Sequence, residues 1–309
     1  MATAGQRGGL ASLFVRGGDS RYNKVIIDGV PVNEPGGRFN FGVVPLSETD
    51  RLEFVRGAQS TLYGSDAMTS VVQLWTRAGD SPVPELRFGA DGGNYDTAHG
   101  YASLSGARGI FDYNLFADQF DSAGQGTNDD YFNSFQGGNV GVKLTDDAIA
   151  RVRVRHSNSR TGVQNEFNFN GQELIPPDLD QRARENDLIA SAELLVQTTS
   201  HWQNRFTGFE YNHKSANIDD VMEPGRVSPS FGNIDFPFHS FTNINRAGLE
   251  YQGDYVERSW TQTTFGYEFE DENGFVGDLD FPPISHGLRL NDAVYGQQLI
   301  NRGRFSAVA

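Results

Sequence analysis

From Glu85 onward the chain repeats one pattern: apolar and polar side chains alternate, and the connections alternate between short and long. In the stretch 150–156, Arg151, Arg153 and Arg155 fall on one face and Ala150, Val152 and Val154 on the other. Ala247, Leu249, Tyr251 and Tyr255 likewise oppose Arg246, Glu250, Gln252 and Asp254, while Thr261, Thr263, Phe265, Tyr267 and Phe269 oppose Gln262, Glu268 and Glu270. Period two sustained at this length specifies long strands with one buried face. Strands are predicted near 85–91, 97–105, 110–120, 134–144, 148–158, 186–198, 201–213, 242–256, 259–271 and 291–301, with the start of another at Arg304 to Ala309. Tight links fall at Gly106 to Gly109, Thr145 to Asp147, Thr199-Ser200, Glu257-Arg258 and Arg302-Gly303. Long ones fall around 121–133, 159–185, 214–241 and 272–290, and Gly92 to Asp96 is the one short link in that series. In an up-and-down meander every second connection lies at the same end, so the long loops gather on one side. Outer-membrane barrels have this asymmetry. A soluble sandwich or propeller has no reason for it, and its strands average only ~5–6 residues.

Composition narrows the classes further. Lys and Arg number 25 against 40 Asp and Glu, a formal charge of −15, so there is no basic stripe to neutralise phosphates and a nucleic-acid partner is excluded. With no cysteine there is no disulfide framework and no thiolate nucleophile. No run of ~18 apolar residues exists, which excludes a transmembrane helix but not a barrel, whose polar lumen and loops lower the mean hydropathy. The 23 Phe and 11 Tyr argue against disorder. Met1 to Arg7 lacks the apolar core of a secretory signal, so either the chain stays in the cytoplasm or its natural beginning lies upstream. The six histidines (His99, His156, His201, His213, His239, His286) are scattered, and neither a Gly-x-Ser-x-Gly elbow nor a Walker loop occurs, so no enzyme is expected.

Before Pro82-Val83-Pro84 the runs are shorter, β-branched and broken by glycine. Leu13-Phe14-Val15-Arg16-Gly17-Gly18 is followed by Val25-Ile26-Ile27-Asp28-Gly29-Val30-Pro31-Val32-Asn33, then by Leu52-Glu53-Phe54-Val55-Arg56-Gly57, Ser60 to Ala67 and Val71-Val72. In order and separation these blocks resemble the plug domain of TonB-dependent outer-membrane receptors, most of all the cobalamin-receptor type. Ala58, Thr69-Ser70 and Gln73-Leu74-Trp75 depart from the family pattern without disturbing the fold it implies. The resemblance implies a plug over 1–81, a small mixed sheet, followed over 82–309 by the first half of a transmembrane antiparallel barrel. Family barrels have about 22 strands. Ten to eleven are expected here, so the chain is expected to be a fragment of a gene, less the signal peptide and the short box that TonB grips. The function implied is TonB-dependent import of a scarce large solute such as a siderophore, a corrinoid or an oligosaccharide. The implied partners are TonB, the lipid bilayer and the imported ligand, and the implied location is the outer membrane. A diffusion porin or adhesin barrel, or a soluble β-rich carbohydrate-binding module, is the alternative.

Two sets of site residues follow. The stretch Asn33 to Phe41 carries Glu34, Arg38, Phe39, Asn40 and Phe41 around Pro35-Gly36-Gly37, and is the candidate plug apex touching ligand, against the plainer reading of a solvated hairpin. Arg16 and Arg56 each end an apolar strand; the resemblance implies pairing with acidic residues of the wall, for which Glu193, Glu250, Glu268 and Glu270 are candidates, against solvated turn residues. No cofactor is expected, although the acidic clusters Asn128-Asp129-Asp130, Asp219-Asp220, Asp271-Glu272 and Asp278 with Asp280 offer oxygen ligands that could take Ca²⁺ in extracellular loops. The loop 164–181, with Phe167, Phe169 and its asparagines, is a further ligand-facing candidate.

Overall fold

The computed structural model describes residues 2–3, 6–64, 66–163, 178–222, 227–228, 232–233 and 236–309. The opening segment builds a small mixed sheet. Strands β1 (Ala2–Thr3) and β2 (Ala11–Ser12) pair with each other. A separate four-stranded sheet contains β3 (Asn23–Ile27), β4 (Val30–Pro31), β5 (Thr49–Arg56) and β6 (Ser70–Thr76) in the order β4-β3-β6-β5, with a single-turn helix α1 (Ser60–Tyr63) before β6. Strands β3 and β6 run parallel, and the other neighbours are antiparallel. Asp28 and Gly29 link β3 to β4 with φ of 53° and 82°. Two successive positive φ values suit the tight hairpin turn that an Asp-Gly pair favours. Strands β3 and β6 are buried on both sides, which is why they read as near-continuous apolar runs rather than alternating ones, whereas β5 at the sheet's edge is largely exposed.

The remainder forms one antiparallel sheet of eleven strands in chain order. They are β7 (Glu85–Gly93), β8 (Thr97–Arg108), β9 (Phe111–Ser122), β10 (Tyr131–Thr145), β11 (Ala148–Gly162), β12 (Arg182–Thr199) and β13 (Trp202–Asp219). A short hairpin of β14 (Val227–Ser228) and β15 (Gly232–Asn233) intervenes before β16 (Phe238–Arg258), β17 (Thr261–Asp278), β18 (Ser285–Arg302) and β19 (Phe305–Val308). Strands β7 and β19 stand at the two edges. The connections alternate as expected: two-residue links at 109–110, 146–147, 200–201, 259–260 and 303–304 share one end, and the longer ones share the other. The strands are longer than the sequence suggests. β12 and β13 stay in register from Gln197↔Gln203 to Arg182↔Ile218, so much of what reads as loop is hairpin continuing outward. At ~3.4 Å per residue an 18-residue strand is about 60 Å long, twice the ~30 Å hydrocarbon thickness of a bilayer.

The two faces differ sharply. Phe88, Leu249 and Val294 are 74%, 62% and 83% exposed on the outside, while Arg155, Arg246 and Glu270 are each 3% exposed on the inside. Laid flat, eleven strands at ~4.8 Å spacing would be about 48 Å wide. The small sheet nevertheless hydrogen-bonds to β9, β10, β11, β12 and β16, so the wall curves around it. Val25, Ile27, Val30, Val32, Val72 and Leu74 of the plug and Ile189, Phe209 and Tyr211 of the wall form one hydrophobic cluster. No helix among the described residues is long and apolar enough to cross a membrane, which leaves strands as the only means of crossing one.

Candidate functional site

The plug is held by the wall's polar face. Asp28, 2% exposed, accepts from Thr76 N at 2.7 Å and from Thr76 Oγ1 at 2.5 Å, and lies 3.8 Å from both Arg153 Nε and Arg155 Nη1. Arg155 also donates to Thr76 Oγ1 at 2.7 Å, and Ser191 Oγ donates to Asp28 O at 3.0 Å. On the other side of the hairpin Arg246 donates to Pro31 O at 2.9 Å and Asn33 O at 2.8 Å while Glu272 neutralises it. Asn114 and Asn139 both donate to Arg77 O, at 2.9 and 2.6 Å. The guanidiniums of this lock therefore come from the wall and the buried carboxylate from the plug.

Arg16 and Arg56, expected to pair with acidic residues of the wall, take no part in this lock. Both are exposed, and neither forms an ion pair among the described residues. Three of the four carboxylates assigned to them, all but Glu268, are otherwise engaged: Glu193 with Arg153 and Arg205, Glu250 with the Tyr295 hydroxyl, and Glu270 with Arg246 and Arg289. Wall arginines carry no distinguishing signal in sequence. On an alternating strand, Arg155 looks like any other polar lumen residue.

The stretch after β4 forms a loop above the plug sheet. Its ends are tied by Glu34 N donating to Arg38 O at 2.8 Å, and Gly36 and Gly37 both take positive φ. A Cβ on Gly37 would lie 2.1 Å from Arg21 O, so only glycine fits. Asn33, 2% exposed, anchors this loop to β3: its Oδ1 accepts from Val25 N at 2.7 Å and its Nδ2 donates to Asn23 O and Gly37 O, each at 3.0 Å. Asn40 donates to Glu185 of the wall at 2.8 Å. Glu34, Arg38, Phe39 and Asn40 line a cavity of about 480 Å³ between this loop and the long-loop ends of the wall strands, where Ser159, Arg184, Asn217 and Val276 complete it. Phe41 does not line it; it stacks edge-on against Phe39 with centroids 4.8 Å apart and packs on the shared core.

Beneath the loop a further group faces Glu34. His213, 4% exposed on β13, lies with Nδ1 2.7 Å from Asp187 Oδ1, which also accepts from the Tyr211 hydroxyl at 3.1 Å. Its Nε2 is buried without a hydrogen-bond partner among the described residues and lies 3.8 Å from Glu34 Oε1. Nothing in the sequence singles out His213 from the other five histidines, because its partners lie 26 and 179 residues away.

The acidic clusters divide. Asp130 pairs with Arg182 at 2.5 Å, and Asp220 and Asp280 both pair with His239 at 2.6 Å, which are loop fastenings. Asp219 instead joins Asp178 and Asp180, with ligand oxygens all within 4.8 Å of one another. Burial, and then the Asp178 carboxylate beside it, push the Asp180 carboxyl above its ordinary range. The loop residues Phe167, Phe169 and their neighbours across 164–177 lie outside the described residues.

Residues 1–71 match the family described as TonB-dependent Receptor Plug Domain. The Vitamin B12 transporter BtuB of Vibrio cholerae serotype O1 (strain ATCC 39541) is 45% identical over 75 residues, 24% of this chain and 12% of that protein. The Vitamin B12 transporter BtuB of Vibrio vulnificus (strain CMCP6) is 32% identical over 109 residues, 33% of this chain and 18% of that protein. In fold the chain is similar to the copper transporter OprC, with a TM-score of 0.74 at 10% identity over 96% of this chain and 47% of that one. It is similar also to the siderophore receptor PiuA from Acinetobacter baumannii, with a TM-score of 0.68 at 12% identity over 96% of this chain and 50% of that one. The chain thus spans less than a fifth of the curated relatives it matches and about half of each solved receptor.

Proposed function

We propose that this chain, with the plug and the fold of a TonB-dependent receptor, serves the active import of a scarce large solute across the bacterial outer membrane. A siderophore, a corrinoid or an oligosaccharide fits that description, and the cobalamin-type plug favours a corrinoid. The observation that carries the reading is a plug seated in the wall's concave face, with its apex residues Glu34, Arg38, Phe39 and Asn40 lining a cavity at the long-loop end. A diffusion porin gains nothing from a plug bolted to its wall by buried arginines. A soluble module would not turn Phe88, Leu249 and Val294 outward along the strands. Binding at the apex, plug rearrangement and release are driven by work delivered through TonB; ligand shifts the equilibrium only as far as it binds the two states differently. The related proteins are transporters and receptors, and no covalent chemistry on the solute is invoked.

An open sheet in hydrocarbon leaves the outward N–H and C=O groups of β7 and β19 unpaired at several kcal/mol each, so the working wall needs further strands along both edges. Arg16 and Arg56 would find their carboxylates there. Asp178, Asp180 and Asp219, with ligand oxygens all within 4.8 Å of one another, offer the oxygen donors that a hard divalent cation takes. Ca²⁺ there would tie the segment before β12 to the end of β13.

Solute-dependent growth tests the function. Import by the receptor carrying this chain is expected to collapse when TonB is deleted and when Arg38→Ala and Phe39→Ala are combined. Undiminished uptake without TonB would establish a passive pore instead.

A further inference from the structure

The outer face of the wall carries a group of cations that solute import leaves unused. Alternation fixes which side chains stand there. Ser159, Thr161, Ala183, Glu185, His213 and Ser215 line the inner cavities, so the side chains of Arg160, Arg184 and Lys214 between them point outward, and Arg184 meets the inner cavity with its main chain. Arg160 and Arg184 are directly opposite partners, and Lys214, opposite Asn186, is the diagonal neighbour of Arg184. All three are exposed, and none forms an ion pair among the described residues. Like charges directly opposite on neighbouring strands destabilise a sheet. The outward carboxylates nearby do not relieve them: Asp130 holds Arg182, Glu210 accepts from Asn212, and Phe132 separates Asp121 from Arg160. Two adjacent guanidiniums without a carboxylate make a fork that grips a phosphate from both sides.

What lies below the cations identifies the carrier of that phosphate. Outward along β12 from the short-link end come Leu194 and Leu188, then Asn186, then Arg184; along β11 come Val154, then Asn158, then Arg160. His156 holds the amide row together, lying 2.5 Å from Gln136 and 3.1 Å from Asn186. Arg160 is twelve positions beyond Ala148, the first residue of β11. At ~3.4 Å per residue and a tilt of ~40° this puts the arginine pair about 31 Å above the short-link end, just outside an apolar band ~25 Å tall. The grading runs apolar, amide, cation, which is the order in which a phosphorylated glycolipid presents acyl chains, sugar hydroxyls and phosphate. A phosphate free in solution has no use for the amide row, and an acidic protein leaves the continuity with the apolar band unexplained.

Resting on the outer-membrane placement of the import reading, we propose that Arg160, Arg184 and Lys214 form a site for the phosphate of an outer-leaflet glycolipid, with Gln136, Asn158 and Asn186 taking its sugar. The site fastens the wall to its leaflet beside the long-loop end.

The test uses the receptor carrying this chain, purified in mild detergent from outer membranes and freed of lipid. Native mass spectrometry follows titrations with lipid A bearing both phosphates, with its dephosphorylated form, with phosphatidylglycerol and with sodium phosphate. The phosphorylated lipid A is expected to bind with an affinity that falls more than about tenfold when Arg160→Gln and Arg184→Gln are combined, and severalfold in Lys214→Gln. Removing the lipid's phosphates should cost the parent about as much as the double substitution does and cost the doubly substituted receptor little more, as is required of groups that meet. Equal affinity of parent and variants for phosphorylated lipid A overturns the proposal. So does phosphatidylglycerol binding as tightly, since it has no sugar, and so does sodium phosphate displacing the lipid at equal concentration, which would make this a free-anion site. Should the double Gln variant lose its strand signal in circular dichroism, Arg160→Lys with Arg184→Lys decides, because it keeps the charge, loses the fork and should bind severalfold more weakly. TonB-independent uptake with lipid binding intact would defeat the import reading and leave this site standing; TonB-dependent uptake with no preference for the phosphorylated glycolipid would do the reverse.

Discussion

Asp28 ties the plug to the wall, because it closes a hairpin, receives both donors of Thr76 and supplies the charge beside two wall arginines. Asp28→Asn keeps the shape and removes the charge, leaving Arg153 and Arg155 facing an uncharged plug. Breaking a buried pair of this kind costs about 3–5 kcal/mol, and a lowered thermal midpoint together with faster proteolysis within 23–76 is the expected result. Asn33→Ala strips three buried hydrogen bonds from the apex loop and should destabilise it by about 2–3 kcal/mol, read as weakened solute binding with the wall's strand signal unchanged. At this scale the sequence is informative only where the signal is local. The Asp28-Gly29 turn is visible from two adjacent letters. The wall arginines that grip the plug, the buried His213 and the meeting of Asp178 and Asp180 with Asp219 depend on partners far along the chain, and residue type alone does not reveal them.

At the scale of elements, alternation is enough to place the wall strands, since one buried face forces period two. It does not fix where a strand ends. β16 runs for 21 residues because its hairpin partners stay zipped beyond the point where side-chain alternation loses contrast in water. On the outer face a charge midway along such a strand should oppose membrane insertion: Leu249→Arg is expected to destabilise the inserted form by about 2–4 kcal/mol in urea titrations from vesicles. In the apex loop, Gly37→Ala must move Arg21 O or abandon its positive φ, and is expected to cost about 1–3 kcal/mol and to shift the apex away from Glu185. A normal midpoint for that variant would show that the loop is not held as described.

For the molecule as a whole, the plug and the wall share one core, so they should not open independently. Amide exchange at Val25, Ile27, Val72 and Leu74 is expected to match that of Ile189 and Phe209 on the wall, and fast exchange confined to the plug would contradict this. The seating has another consequence. Arg246, Asn114 and Asn139 reach main-chain oxygens of Pro31, Asn33 and Arg77, and of the three only Asn114 adds a plug side chain, the Glu48 carboxylate at 3.0 Å. A grip on carbonyls is indifferent to spelling: descendants of this stopper can exchange the letters that meet cargo and still be clasped by an unaltered cylinder. Release of these clasps, by the same token, comes from tugging the thread out of shape, whereas the charge of Asp28 is a part of the hold that a replaced side group can undo.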